Sequence, residues 1–213
     1  MALTYVNVAK KWWVSNMKEK LKWFFESFIW LFVLGLIIDI ITKVIVKSNM
    51  TEGDSITLIP HFLAITFSYN TAAAFGMGFN SPEVNRWIYI AVALIATGAI
   101  LFFYIRNFKK YGLFIKACLM CILVGAIGNL IDRLIYSKVV DWIDFFGIWH
   151  AIFNIADSFV VVGTIMLIVW LIIEEVKEYK AKKASEPQVE GKVLSKTEQE
   201  MQEANEENGK VEN

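Results

Sequence analysis

Cysteine and histidine are both scarce, with two of each in 213 residues. Cys118 and Cys121 form a single C-x-x-C inside an apolar run, and no second ligand pair is present to complete a zinc site. Redox and metal chemistry would both use the thiolate, a charge for which such a run has no place, so the pair is expected to serve helix packing. His61 and His150 lie far apart and show no H-E-x-x-H pattern, and each is expected at a surface or interface. Neither a metal nor a cofactor is expected. Net charge is missing as well: 21 Lys and Arg balance 21 Asp and Glu, but basic residues gather near the first apolar run and Glu near the end, so the balance says little about partners. No nucleic-acid partner is expected. A cleavable secretory signal is not expected either. The first apolar run follows a long basic, Trp-containing segment, is too long for a signal core and lacks a small-residue cleavage pattern, so it reads as an uncleaved span. No internal repeat is evident.

What the chain has in excess is apolar surface: 56% hydrophobic and 15% aromatic residues, with a mean hydropathy of +0.48. That is an integral membrane composition. Four stretches reach the roughly 20 residues that cross a bilayer, over Phe24 to Val46, Trp87 to Ile105, Leu113 to Ile135 and Ile152 to Ile173. Lipid leaves backbone groups no partner but one another, so all four are expected as α-helices. Lys10, Lys11, Lys18, Lys20 and Lys22 precede the first stretch, Arg106, Lys109 and Lys110 link the second to the third, and Lys177, Lys180, Lys182 and Lys183 follow the fourth. By the positive-inside rule these flanks and both termini are cytoplasmic.

The connections 47–86 and 136–150 then face outward. The first contains LIPHFLAITFSYNTAAAFGMG (Leu58 to Gly78), rich in β-branched and aromatic residues, which predicts a short strand or hairpin on the outer membrane surface. The expected fold is an all-α polytopic membrane protein: four transmembrane helices with a small outer-surface β element between spans one and two. It divides into a basic N-terminal segment (1–23), a four-helix membrane domain (24–175) and a charged cytoplasmic tail (176–213). Beyond Ser185 the tail is expected to be disordered or weakly helical. Trp142, Phe145 and Trp149 are expected as an interfacial belt.

The acidic residues share one depth. Asp132 lies about one turn from the outer end of the third span, and Asp157 roughly one to two turns inside the start of the fourth. These spans are antiparallel and joined by a short connection, so the two carboxyls meet at one level. Ionisable groups inside a span are costly and by default functional. Two facing carboxyls share one proton, and that state suits amide hydrolysis: one activates water while the other protonates the carbonyl oxygen. A plainer reading stands beside it, in which Asp132 pairs with Arg133 and Asp157 caps the fourth helix. Asn129 and Asn154 are placed to orient the carboxyls. Asp39 and Lys43 are either an i,i+4 pair with a snorkelling lysine or members of the site. Asp141 and Asp144, in the outer connection, are expected in structural roles.

Five motifs, DIITK (Asp39 to Lys43), NTAAAFG (Asn70 to Gly76), GAIGNLIDR (Gly125 to Arg133), VVDWIDF (Val139 to Phe145) and FNIADS (Phe153 to Ser158), stand in one order on the four-span plan. In these the chain resembles bacterial lipoprotein signal peptidase, or signal peptidase II, over about Phe24 to Ile173. The resemblance implies an aspartyl endopeptidase of the bacterial inner membrane. It would cut diacylglyceryl-modified prolipoproteins just before the lipidated cysteine, at the outer leaflet, among membrane lipids and as a monomer. It also implies Asp132 and Asp157 as the catalytic pair, with Asp39, Lys43, Asn70, Asn129, Arg133 and Asn154 lining or supporting the site. Ala72 stands where the family often has glycine, and Val124 where a double glycine is common. Competing readings are a proton-coupled transporter or channel, which the scarcity of polar groups in the inner half-spans disfavours, and a noncatalytic scaffold.

Overall fold

The structure is a computed structural model that describes residues 2–71, 81–145, 151–185 and 201. The elements in chain order are α1 (Ala2–Glu26), α2 (Ile29–Asn49), β1 (Ser55–Ile59), β2 (Leu63–Asn70), α3 (Pro82–Arg106), α4 (Leu113–Tyr136), β3 (Val139–Asp144) and α5 (Ile155–Ser185). Among the described residues, α2, α3, α4 and α5 over Ile155–Ala184 are long and apolar enough to cross a membrane. These are the four expected spans with shifted ends. The chain forms two compact units, 1–169 and 170 onward. The second contains the remainder of α5, where Glu174 and Lys177 form an exposed pair at 3.5 Å.

The first span starts at Ile29 rather than Phe24, because the backbone turns at Ser27 and Phe28. Phe28 takes a left-handed conformation (φ 54°) that ends α1. Ser27 is buried, its Oγ donates to the Phe24 carbonyl at 2.8 Å, and its own carbonyl accepts from the Tyr104 hydroxyl. The N-terminal segment, expected only as a basic stretch, is thus a separate helix. At its N-terminus α3 has a proline in the first turn, and the Ser81 hydroxyl accepts from the Val84 N–H.

Both α2 and α3 pack on α4. The α4–α5 crossing needs small residues: a Cβ on Gly125 would lie 2.3 Å from the Ala156 carbonyl oxygen and 2.2 Å from Val160 Cγ2. Val124, in place of the family's second glycine, is fully buried beside it. Cys118 and Cys121 are free and buried, and a Cβ on Gly163 would meet both residues at 2.9 Å, which places the thiols in this helix packing.

The hairpin expected in the first connection is present, with β1 and β2 antiparallel. Its turn includes exposed His61 in a left-handed conformation (φ 59°). A third strand, not expected from the sequence, comes from the connection after α4. β3 pairs antiparallel with β2 (Asn70 with Val139, Ser68 with Asp141), giving the order β1-β2-β3. Ile143 then bridges Phe153, where the chain enters α5. The sheet packs on the C-terminal end of α2 through Val46, Phe67 and Val140, with Trp142 partly buried against them, so Trp142 is a packing residue rather than part of a belt. Phe145 stacks on Phe153 and meets Phe62 edge-on. Ala72, the rest of NTAAAFG after Thr71, Trp149, His150 and the tail beyond Ser185 lie outside the described residues, apart from residue 201.

Candidate active site

The site is built where α2, the last turns of α4, the start of β3 and the first turn of α5 converge. Lys43 is buried, so it does not snorkel. Its ammonium turns inward to three acceptors: Asp39 Oδ2 at 2.8 Å, Asp132 Oδ2 at 3.1 Å and Asn129 Oδ1 at 3.1 Å. A buried ammonium is tolerated only with such partners, and two carboxylates around one cation satisfy it. The i,i+4 pair and the site role are therefore the same arrangement.

Asp39 also reaches across to α5. Its Oδ1 accepts the Ala156 N–H at 2.8 Å, one of the donors that the helix N-terminus leaves without an intrahelical partner. Gly128 makes the room: a Cβ there would stand 2.6 Å from Asp39 Oδ2.

Asn154 and Asp157 form a reciprocal cap on α5. The Asp157 N–H donates to Asn154 Oδ1 at 2.9 Å, and the Asn154 N–H donates to Asp157 Oδ2 at 3.1 Å. The capping role considered for Asp157 is real, but it uses one oxygen. The other, Oδ1, accepts from Asn129 Nδ2 at 2.7 Å. Asn154, itself fully buried, turns its Nδ2 to Asn129 Oδ1 at 3.1 Å and to Asp141 Oδ1 at 2.7 Å.

Asp141 is the residue that sequence reasoning misplaced. Only 2% exposed, it accepts from Asn154 on Oδ1 and from Asn70 Nδ2 on Oδ2 at 3.0 Å. Burial, and then the negative charge of Asp157, push its pKa up to about 7 against the pull of its amide donors and Lys43. The signal was in VVD: two valines and an aspartate, all three buried at the start of a strand. Asp144 does have the expected structural role, accepting from Thr66 Oγ1 of β2 at 2.8 Å.

Asp132 is tied differently from the way expected. Its Oδ2 takes the Lys43 ammonium and the Val140 N–H at 3.1 Å, so it joins α2 to the start of β3. It faces Asp39 across Lys43, whereas the carboxyl that feels Asp157 is Asp141. Arg133 donates to the Asn129 carbonyl at 3.5 Å and lies over the Tyr89 ring at 5.2 Å. Asp39, Lys43, Asn70, Asn129, Asp132, Arg133, Asn154 and Asp157 thus belong to one network, joined by Asp141. Among the described residues no group of three or more His, Cys, Asp or Glu is placed to hold a metal ion.

A family profile described as signal peptidase (SPase) II matches residues 31–173. A lipoprotein signal peptidase of Fusobacterium nucleatum is 40% identical over 142 residues, covering 67% of this chain and 84% of the relative. One of Clostridioides difficile is 39% identical over 150 residues, covering 70% and 97%. A solved structure of a bacterial membrane enzyme, obtained by the in meso method at 2.3 Å, aligns with a TM-score of 0.63 at 35% identity, over 69% of this chain and 88% of that one.

Proposed function

The chain belongs to the signal peptidase II family of membrane peptidases, and we propose that it removes signal peptides from diacylglyceryl-modified prolipoproteins as an aspartyl endopeptidase whose reactive pair is Asp141 and Asp157. The observation that carries the reading is that one buried residue, Asn154, holds both carboxyls, its side-chain amide donating to Asp141 and its backbone N–H to Asp157. Asp132, expected in the pair, becomes a positioning residue, since its Oδ2 is committed to Lys43 and the Val140 N–H.

Asp141, with a pKa near 7, carries the proton at the start, and Asp157, oriented by Asn129 and Asn154, is the carboxylate. A water held between them attacks the scissile carbonyl carbon. Asp157 takes the water proton while Asp141 gives its proton to the carbonyl oxygen, which yields a gem-diol. Asp157 then protonates the amide nitrogen, the C–N bond breaks, and Asp141 recovers a proton from a gem-diol hydroxyl. The new amine is the N-terminus of the lipidated cysteine, and both carboxyls return to their initial state.

The basic flanks favour cytoplasmic termini, which puts the sheet and the carboxyls at the outer leaflet of the inner membrane. A scissile bond held at the bilayer surface by acyl chains would meet the pair there. The test is cleavage of a reconstituted prolipoprotein with and without its diacylglyceryl group. Release of the signal peptide only from the lipidated form, with cysteine as the new N-terminus, supports the reading. Equal cleavage of both forms, or proton flux without cleavage, contradicts it.

A further inference from the structure

We propose that α1 is an interfacial anchor, lying in the headgroup layer of an anionic membrane at the end of α2 remote from the sheet. Trp13, Met17, Leu21, Phe24 and Phe25 follow i, i+4, i+8, i+11, i+12 spacing and so fall on one side of the helix. All five are exposed, from 38% at Phe24 to 59% at Trp13. Lys18 and Lys22 border this stripe on one edge and Lys20 on the other, all three exposed. An apolar stripe of this length left in water is a liability, and basic borders with tryptophan are the pattern of a helix lying in a lipid surface.

The attachment of α1 selects lipid over a protein partner. The left-handed Phe28 breaks α1 from α2, and the Trp23 ring packs 6.2 Å from Phe108 while Tyr104 holds the Ser27 carbonyl. The end of α1 is therefore fixed where α2 enters the apolar layer. Along α2 the side chains of Val33, Leu34 and Ile37 are likewise exposed, in a helix that spans lipid, so the stripe continues a lipid-facing surface. The lysines give the surface its sign: they complement anionic headgroups, each adding severalfold to the attraction. α1 lies before the residues shared with the family, so this anchor is a property of the present chain beyond the peptidase activity. It sets the depth of α2, and with it Asp39 and Lys43.

The test uses the full chain in nanodiscs, spin-labelled at Met17→Cys on the stripe or at Glu19→Cys on the opposite face; the native cysteines are buried. In phosphatidylglycerol, oxygen should reach the label at 17 severalfold better than a water-soluble nickel chelate does, with the order reversed at 19. In phosphatidylcholine, or in the Lys18→Gln/Lys20→Gln/Lys22→Gln variant, the contrast should fall severalfold, while signal-peptide cleavage reports that the fold is intact. Equal chelate access at both positions in phosphatidylglycerol overturns the proposal. So does shielding of both from both probes, which would mean a protein partner, or a contrast unmoved by lipid charge and lysine removal.

Discussion

Asn154 donates its side-chain amide to Asp141 Oδ1 at 2.7 Å, while its backbone N–H donates to Asp157. One residue therefore holds both carboxyls of the proposed pair and also caps the helix that carries one of them. Asn154→Ala should cost about 0.5–2 kcal/mol from the lost cap. It should also lower kcat by one or more orders of magnitude with little change in KM. Thermal unfolding in detergent and steady-state cleavage separate the two effects.

Lys43 is the sole ammonium drawn between Asp39 and Asp132 among the described contacts. Lys43→Met should destabilise by about 3–5 kcal/mol, because two buried carboxylates lose their counter-charge. Adding Asp132→Asn should recover part of that loss. A double-mutant cycle measures the coupling, and strict additivity of the two changes would mean that the contact does not matter.

The pH dependence has a definite sign. Asp141 moves from an ordinary 3.8 to about 7 on folding, so the folded protein binds more protons between those values. Its contribution to stability is fully present below pH 3.8 and is lost as pH rises toward 7. Above that it leaves a cost on the order of a few kcal/mol. Asp141→Asn should therefore be more stable than the parent at pH 8, with the difference shrinking toward pH 5. Cleavage by the parent should fall as pH rises through about 7, where Asp141 loses its proton. Melting curves and rate profiles over pH 5 to 9 check both.

Gly125 lets the α5 backbone approach α4. Gly125→Ala should push α5 away, costing about 1–3 kcal/mol of overpacking and moving Asp157 from Asn129. A loss of activity larger than the loss of folded protein is the expected outcome. Gly163→Ala, against Cys118 and Cys121 in the same crossing, should cost stability with less effect on turnover.

Much of this was legible in the chain. Apolar runs of span length fixed the helices, because lipid permits few alternatives. Asn129, Asn154 and Asp157 stood out because polar groups are rare at that depth. The break at Phe28 was not legible, since a left-handed residue inside an aromatic-rich run leaves no Gly or Pro to mark it. β3 was missed because its partner is β2, far off in sequence, and a six-residue strand in a short connection has no local signature of pairing. With β3 goes the burial of Asp141 beside Asn154, whereas depth alone pairs Asp132 with Asp157. Depth placed Asp132 correctly in the network but carried no information on which acceptor Lys43 would take.

The most direct test of the central claim is single-turnover cleavage of lipidated prolipoprotein by Asp141→Asn, set against Asp157→Asn and Asp132→Asn, each verified as folded. Asp141→Asn and Asp157→Asn should each lose about 10²–10⁴-fold or more in rate, the scale of general acid–base catalysis. Asp132→Asn should keep measurable turnover with the parent's pH profile. Near-parental cleavage by Asp141→Asn, with Asp132→Asn inactive, would contradict the assignment.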